Sequence, residues 1–230
     1  MENTETRVAI VLVLGDVGRS PRMQYHALSL ARAGTHRVFL VGYSGERAVP
    51  AVEAEENIVQ VRLTADLLPR PRSRKLYLVY APAKALLQLV QLMWTLLVSL
   101  PRADVLLLQT PPAVPALAAA WVTRVARGGS VVMDWHNLGF SVLEHALRNP
   151  RHPFVRLSYS YERAVGRLLD GHLCVTHAMA AWLQREWGLA GVRVLHDRPP
   201  EFFRRLSDGE RHALFLKLRG HFVDAAGAPL

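Results

Sequence analysis

Val8–Leu14 is an unbroken apolar run that stops at Gly15, and a helical pattern opens seven residues later behind Ser20-Pro21. An apolar run of this length, without alternation, reads as a strand buried on both faces of a parallel sheet. Ser20 in the N-cap position with proline just inside predicts a helix over Arg22–Ala33, closed by Gly34. Further strands and helices follow along the chain. Strands are predicted at Arg37–Gly42, Val59–Leu63, Val105–Gln109, Ser130–Met133, His172–Val175 and Val192–Leu195. Helices are predicted at Ala113–Val125, Pro153–Leu169, Thr176–Trp187 (Thr176 capping, Gly188 closing) and Asp208–Leu218. Strands alternating with helices predict an α/β fold, a Rossmann-like parallel sheet with helices on both faces. The expected organisation is one such domain over 1–219 and a flexible tail over 220–230. Within the domain, 7–63 forms the first βαβ part, 64–103 a basic linker plus apolar helix, and 104–219 the remaining β/α units.

The segment between the third and fourth strands breaks the pattern. A proline-broken basic stretch, Arg70–Lys75, leads into Leu76–Leu100, which is long enough to span a bilayer. Its polar residues Lys84, Gln88, Gln91, Thr95 and Ser99 fall three or four apart, so they form one narrow stripe on a helix. Three readings stay open: a helix buried under its neighbours, a helix lying in a membrane interface, and a spanning helix, for which Lys84 is costly.

Two loops carry the candidate chemistry. Gly15-Asp16-Val17-Gly18-Arg19-Ser20-Pro21-Arg22 follows the first strand, on the sheet edge where doubly wound folds bind ligands. Gly15 and Gly18 suit close backbone approach, and Arg19 and Arg22 suit phosphate. The spacing is GxxG, and GxGxxG and GxxxxGK[ST] are absent, which argues against dinucleotide and P-loop use. Asp134-Trp135-His136-Asn137-Leu138-Gly139-Phe140-Ser141 follows the fifth strand. Here Asp134 and His136 are candidates for a carboxylate–imidazole pair doing general-base work, and Trp135 and Phe140 offer aromatic faces for sugar rings. Metal-ligand spacing, a GxSxG elbow and nucleic-acid modules are missing, so no metal, no cofactor and no nucleic-acid partner is expected. The net charge of +9 favours anionic partners. Cys174 is the sole cysteine and reads as a buried structural thiol in a reducing compartment.

The stretches GDVGRSPRMQYHALSLA, LLLQTPPAVP, DWHNLGFS, HPFVRLSYSYE, LCVTHAM and VRVLHDRPPEFF together resemble the N-terminal half of the chitobiosyldiphosphodolichol β-mannosyltransferases. The resemblance runs from about Arg7 to Leu218. It implies the N-terminal half of a GT-B glycosyltransferase on the cytosolic face of the endoplasmic reticulum membrane. The activity it implies is transfer of mannose from GDP-mannose to a dolichol-diphosphate chitobiose acceptor, with inversion at the sugar, alongside other glycosyltransferases of the pathway. Carried over by position, His136 is the base with Asp134 orienting it. Gly15, Asp16, Gly18, Arg19 and Arg22 lie by the diphosphate, and Trp135, Asn137 and Ser141 bind substrate. Leu76–Leu100 then contacts dolichol or membrane.

The sequence departs from the family at both ends. Met1–Thr6 is short and polar where a hydrophobic anchor is usual, and the donor-binding domain of the family is not found within the 230 residues. A shortened form without the donor site is expected. Two rivals remain: a non-catalytic, membrane-associated acceptor-binding or scaffold subunit, and another Rossmann-type enzyme holding a nucleotide in the first loop.

Overall fold

The computed structural model describes residues 7–65, 68, 74–199 and 203–221. It divides into two compact units, Met1–His196 and Asp197–Leu230. The first holds a seven-stranded sheet. Its strands are β1 (Arg7–Asp16), β2 (His36–Tyr43), β3 (Ile58–Leu63), β4 (Val105–Thr110), β5 (Ser130–Trp135), β6 (Gly171–Cys174) and β7 (Arg193–Val194). Every pairing is parallel, in the order β3-β2-β1-β4-β5-β6-β7. The chain builds outward from β1 to β3, then returns to the other side of β1. The direction therefore reverses between β1 and β4, the place where such sheets open a crevice.

The helices of this unit are α1 (Pro21–Arg32), the one-turn α2 (Pro50–Glu53), α3 (Arg74–Trp94), α4 (Ala116–Arg127), α5 (Gly139–Leu147), α6 (Pro153–Gly166) and α7 (His177–Trp187). A π-helical turn, Thr95–Ser99, extends α3. Strand alternation splits the core in two. Ala9, Val11, Leu40 and Leu107 meet Met23, Ala27 and Ala31 of α1 on one face. Ile10, Leu12, Leu108 and Met133 meet Leu92 and Leu96, Leu117 of α4, and Leu183 and Trp187 of α7 on the other. Helices on both faces are as expected from the sequence. Thr176 caps α7 by accepting from the Met179 N–H, and Gly188 ends it at φ +66°, the left-handed conformation that glycine adopts without cost.

The second unit contains α8 (Asp208–Leu218), opened by a reciprocal cap in which Ser207 and Glu210 bond each other's backbone N–H. Of the tail expected over 220–230, Gly220 and His221 belong to a short 3₁₀ turn, and 222–230 lie outside the described residues. So do Met1–Thr6 and most of the basic stretch at 70–75.

Candidate active-site edge

The loops that leave the C-terminal ends of β1, β4 and β5 converge beside the reversal point. Asp134, near the end of β5, is the centre of this edge. Its side chain is fully buried, and Arg22 grips it in a two-pronged pair, Nε to Oδ2 at 2.6 Å and an Nη to Oδ1 at 3.0 Å. His26, one helical turn beyond Arg22 on α1, places Nε2 3.0 Å from Oδ2. An ionised carboxylate only accepts, so this nitrogen donates. Burial pushes the Asp134 carboxyl up, but the bonds from His26 and Arg22 and the guanidinium charge outweigh it and hold the group below its ordinary value.

The expected pairing is therefore corrected. The imidazole that Asp134 orients is that of His26, and Arg22 is committed to Asp134, with its side chain about nine-tenths buried, instead of reaching for phosphate. Strand alternation explains it. Asp134 shares the parity of Val132 and faces α1, whereas Met133 and Trp135 face the opposite core.

Trp135 is corrected too. It has no exposed surface, stacks edge-on to Trp187 at 5.3 Å and donates from Nε1 to His172 Nδ1 at 3.3 Å, so it offers no face to a sugar. Phe140 is packed among Tyr159, Trp182 and Trp187.

The first loop also differs from a phosphate cradle. Gly15 and Asp16 are the last residues of β1. The Asp16 carboxylate accepts from the Gly18 and Glu46 N–H groups, both at 3.0 Å. The N–H groups of Val17, Arg19 and Ser20 bond to Tyr43, Asp16 and Val17 carbonyls. Gln24, fully buried, donates to the Val17 carbonyl at 2.8 Å and accepts from the Val49 N–H at 2.6 Å. All four backbone donors from residue 17 to residue 20 are thus occupied within the fold. Gly18 is required for packing: a Cβ there would lie 2.4 Å from the Glu46 carbonyl oxygen. Ser20 sits at the N-cap as expected, but its hydroxyl donates to the Asp16 carbonyl instead of capping. Arg19 stays exposed.

The second loop is shorter than expected, because β5 runs to Trp135 and α5 begins at Gly139. Its tip, 136–138, is pinned at both ends. Thr110 Oγ1 donates to the Asn137 carbonyl at 3.0 Å, and the Asn137 N–H returns to the Thr110 carbonyl at 3.3 Å. Glu162 of α6, fully buried, accepts from the Gly139 N–H at 2.9 Å and from Ser158 Oγ at 2.8 Å, placing a carboxylate on the positive end of α5. Burial pushes Glu162 up from its ordinary value, against those hydrogen bonds. The tip presents a half-buried His136 and an exposed Asn137 side chain. Ser141 lies within α5, exposed, its hydroxyl donating to the Leu138 carbonyl. On β4, Gln109 pairs in register with Asp134 on the α1 face, and its Oε1 is buried without a hydrogen bond among the described residues, an acceptor available to a ligand hydroxyl.

Sequence reasoning missed His26, Gln24, Gln109 and Glu162. Only His26 carried a local signal, its i+4 spacing from Arg22. Among the described residues no three His, Cys, Asp or Glu side chains gather as a metal site.

α3 borders the same edge, and it is built inside out. Its polar stripe faces the protein. Gln88 donates to the Tyr43 hydroxyl at 2.6 Å, Gln91 faces the Thr64 backbone, and Thr95 is buried. Ser99, at the stripe's end, is exposed. Facing away are Val79, Leu86, Val90, Trp94 and Val98, each between 57% and 72% exposed. Val79–Ser99 is long and apolar enough to cross a membrane, and only 17% of it is buried. The reading of a helix buried under its neighbours holds for its last turns, where Leu92, Leu96 and Leu100 enter the core, and fails for the rest.

A doubly wound parallel sheet with a buried ion pair and a pinned histidine loop at its reversal point defines a Rossmann-type ligand-binding domain. Residues 18–196 match the Glycosyl transferase 4-like domain family, and the chain belongs to it. The sequence resemblance is borne out as well. The chitobiosyldiphosphodolichol beta-mannosyltransferase of Mus musculus is 41% identical over 214 residues, 92% of this chain and 42% of its own length. That of Homo sapiens is 39% identical over 214 residues, with 92% and 44% covered. The UDP-glycosyltransferase TURAN of Arabidopsis thaliana is 41% identical over 212 residues, with 92% and 45% covered. The chain spans less than half the length of these relatives.

Proposed function

We propose that this chain is the acceptor-binding part of a mannosyltransferase acting on chitobiosyl-diphosphodolichol at the cytosolic face of the endoplasmic reticulum membrane, with GDP-mannose as donor. The observation that carries the lipid-linked acceptor is the inside-out α3: an apolar face about 20 residues long points outward, beside the edge where the family's chemistry is expected. The relatives named for β-mannosyl transfer to chitobiosyldiphosphodolichol supply the sugar and the acceptor.

Making a β-mannoside from an α-linked sugar nucleotide inverts the anomeric carbon. A base takes the acceptor hydroxyl proton, and the oxygen bonds to the anomeric carbon. The bond to the diphosphate breaks, and its electron pair leaves with GDP. His136 is our choice for the base, because the pinned loop holds it at the sheet edge. The Arg22–Asp134–His26 cluster acts as a positioning unit. It fixes α1 to β5 beneath the reacting groups.

The test is a transfer assay with GDP-mannose and phytanyl-diphosphate chitobiose, made on a full-length version in which a donor-binding half follows this chain. His136→Ala lowers kcat by about 10²- to 10⁴-fold, with the acceptor KM little changed. An unaffected kcat contradicts the assignment, and a larger loss in His26→Ala moves the base to the Asp134–His26 pair. The Arabidopsis relative's name carries UDP, so UDP-sugars are included; a preference for them refutes the donor.

A further inference from the structure

Between α3 and the sheet edge lies a cleft of about 450 Å³. Its walls are apolar: Leu14 at the end of β1, Pro112 and Val114 after β4, and Ala81 and Ala85 of α3. Into it come Lys84, Tyr80 and Gln88 from α3 and Tyr43 from β2. Lys84 is half-buried, its Nζ 5.9 Å from the centroid of the Tyr80 ring, and makes no ion pair among the described residues. A cation held in an apolar stretch of helix costs solvation that an anion in the cleft restores. Tyr43 Oη already accepts from Gln88, so its own hydrogen is directed elsewhere. Burial pushes that phenol up to about 12, which keeps it a neutral donor. One ammonium and one hydroxyl donor among small apolar walls suit an anion attached to a hydrocarbon chain. By contrast, the backbone N–H groups of residues 17–20 are bonded within the fold, and the Arg22 guanidinium is paired with Asp134.

We propose that this cleft takes the phosphate or diphosphate head of a long-chain alkyl carrier, with Lys84 and Tyr43 on its oxygens and the first units of the chain along the Leu14, Pro112 and Val114 wall. The rest of the chain continues into the apolar surroundings of α3. This rests on the lipid-linked acceptor proposed above and gives its anionic head an address.

The test is calorimetric titration of the chain with farnesyl diphosphate and with inorganic pyrophosphate. The wild type binds farnesyl diphosphate at least about tenfold more tightly than pyrophosphate. Lys84→Met weakens it by about tenfold or more, Lys84→Arg restores it to within about threefold, and Tyr43→Phe costs about threefold. Circular dichroism confirms that each variant is folded, and Tyr43→Phe carries the test if Lys84→Met is not. Unchanged binding by folded Lys84→Met and Tyr43→Phe overturns the cleft and leaves the lipid-linked acceptor standing. Pyrophosphate binding as tightly as farnesyl diphosphate overturns the carrier and leaves a simple anion site. Absence of farnesyl diphosphate binding overturns both proposals. Lys84-dependent binding supports the cleft whether or not the chain by itself transfers mannose.

Discussion

α1 and α3 cover opposite faces of one sheet, and they are turned opposite ways. α1 buries Met23, Ala27 and Ala31 and sends Arg22 and His26 inward to a single buried carboxylate, so its polar groups serve the fold. α3 sends its polar stripe inward as well, but leaves its apolar side outside. The first arrangement satisfies water on its outer surface. The second satisfies it poorly, because a contiguous exposed apolar face marks a partner or a membrane. Apolar periodicity locates a helix and its stripe, whereas the groups waiting on the sheet decide which side faces in. Here Tyr43, Thr64 and the cleft draw the polar side of α3 inward.

The largest effect separating the two helices is expected at the α1 clamp. Asp134→Ala leaves Arg22 without its buried partner and costs about 3–5 kcal/mol in urea unfolding. A loss below about 1 kcal/mol places the pair among surface bridges and dissolves the contrast.

Next comes α3 itself. Leu92, fully buried, is expected to cost about 2–5 kcal/mol as Leu92→Ala, while Val90→Ala, two residues away and 57% exposed, stays within about 0.5 kcal/mol. Equal costs would mean that the outward face is packed against protein.

A smaller effect is expected in the pH dependence of stability, where the buried carboxylates differ in sign. Asp134 has a depressed value in the fold. Its contribution is present above the unfolded value of about 3.9 and is lost as pH falls through the folded one. Glu162 has a raised value. Its contribution is complete below about 4.3 and is lost as pH rises through the folded one. Denaturant midpoints across pH 3–7 should show Asp134→Asn flattening the acid limb and Glu162→Gln flattening the opposing slope. The same slope change from both variants would contradict the assignment.

How far the sequence shows this in advance depends on whether the signal is local. The central strands β1 and β4 are legible because parallel strands buried on both faces are apolar over most of their length, and α7 because Thr176 and Gly188 mark its ends. α5 is not legible: its N-terminus is held by Glu162, 23 residues away. The Arg22–Asp134 pair joins residues 112 positions apart. Trp135 and Asp134 were nearly within reach: extending the alternation of β5 by two residues turns the tryptophan into the core and the aspartate toward α1. The stripe on α3 is visible, but its direction depends on Tyr43 at the end of β2 and Thr64 just after β3, both distant in sequence.

Contact of the outward face of α3 with lipid is read out by flotation of the chain with vesicles of phosphatidylcholine and phosphatidylserine. The wild type is expected to float with the vesicles. The combined variant Val79→Ser, Leu86→Ser, Val90→Ser, Trp94→Ser is expected to stay in the aqueous fraction with its urea midpoint little changed. A wild type that stays behind, or a folded variant that floats equally well, contradicts it.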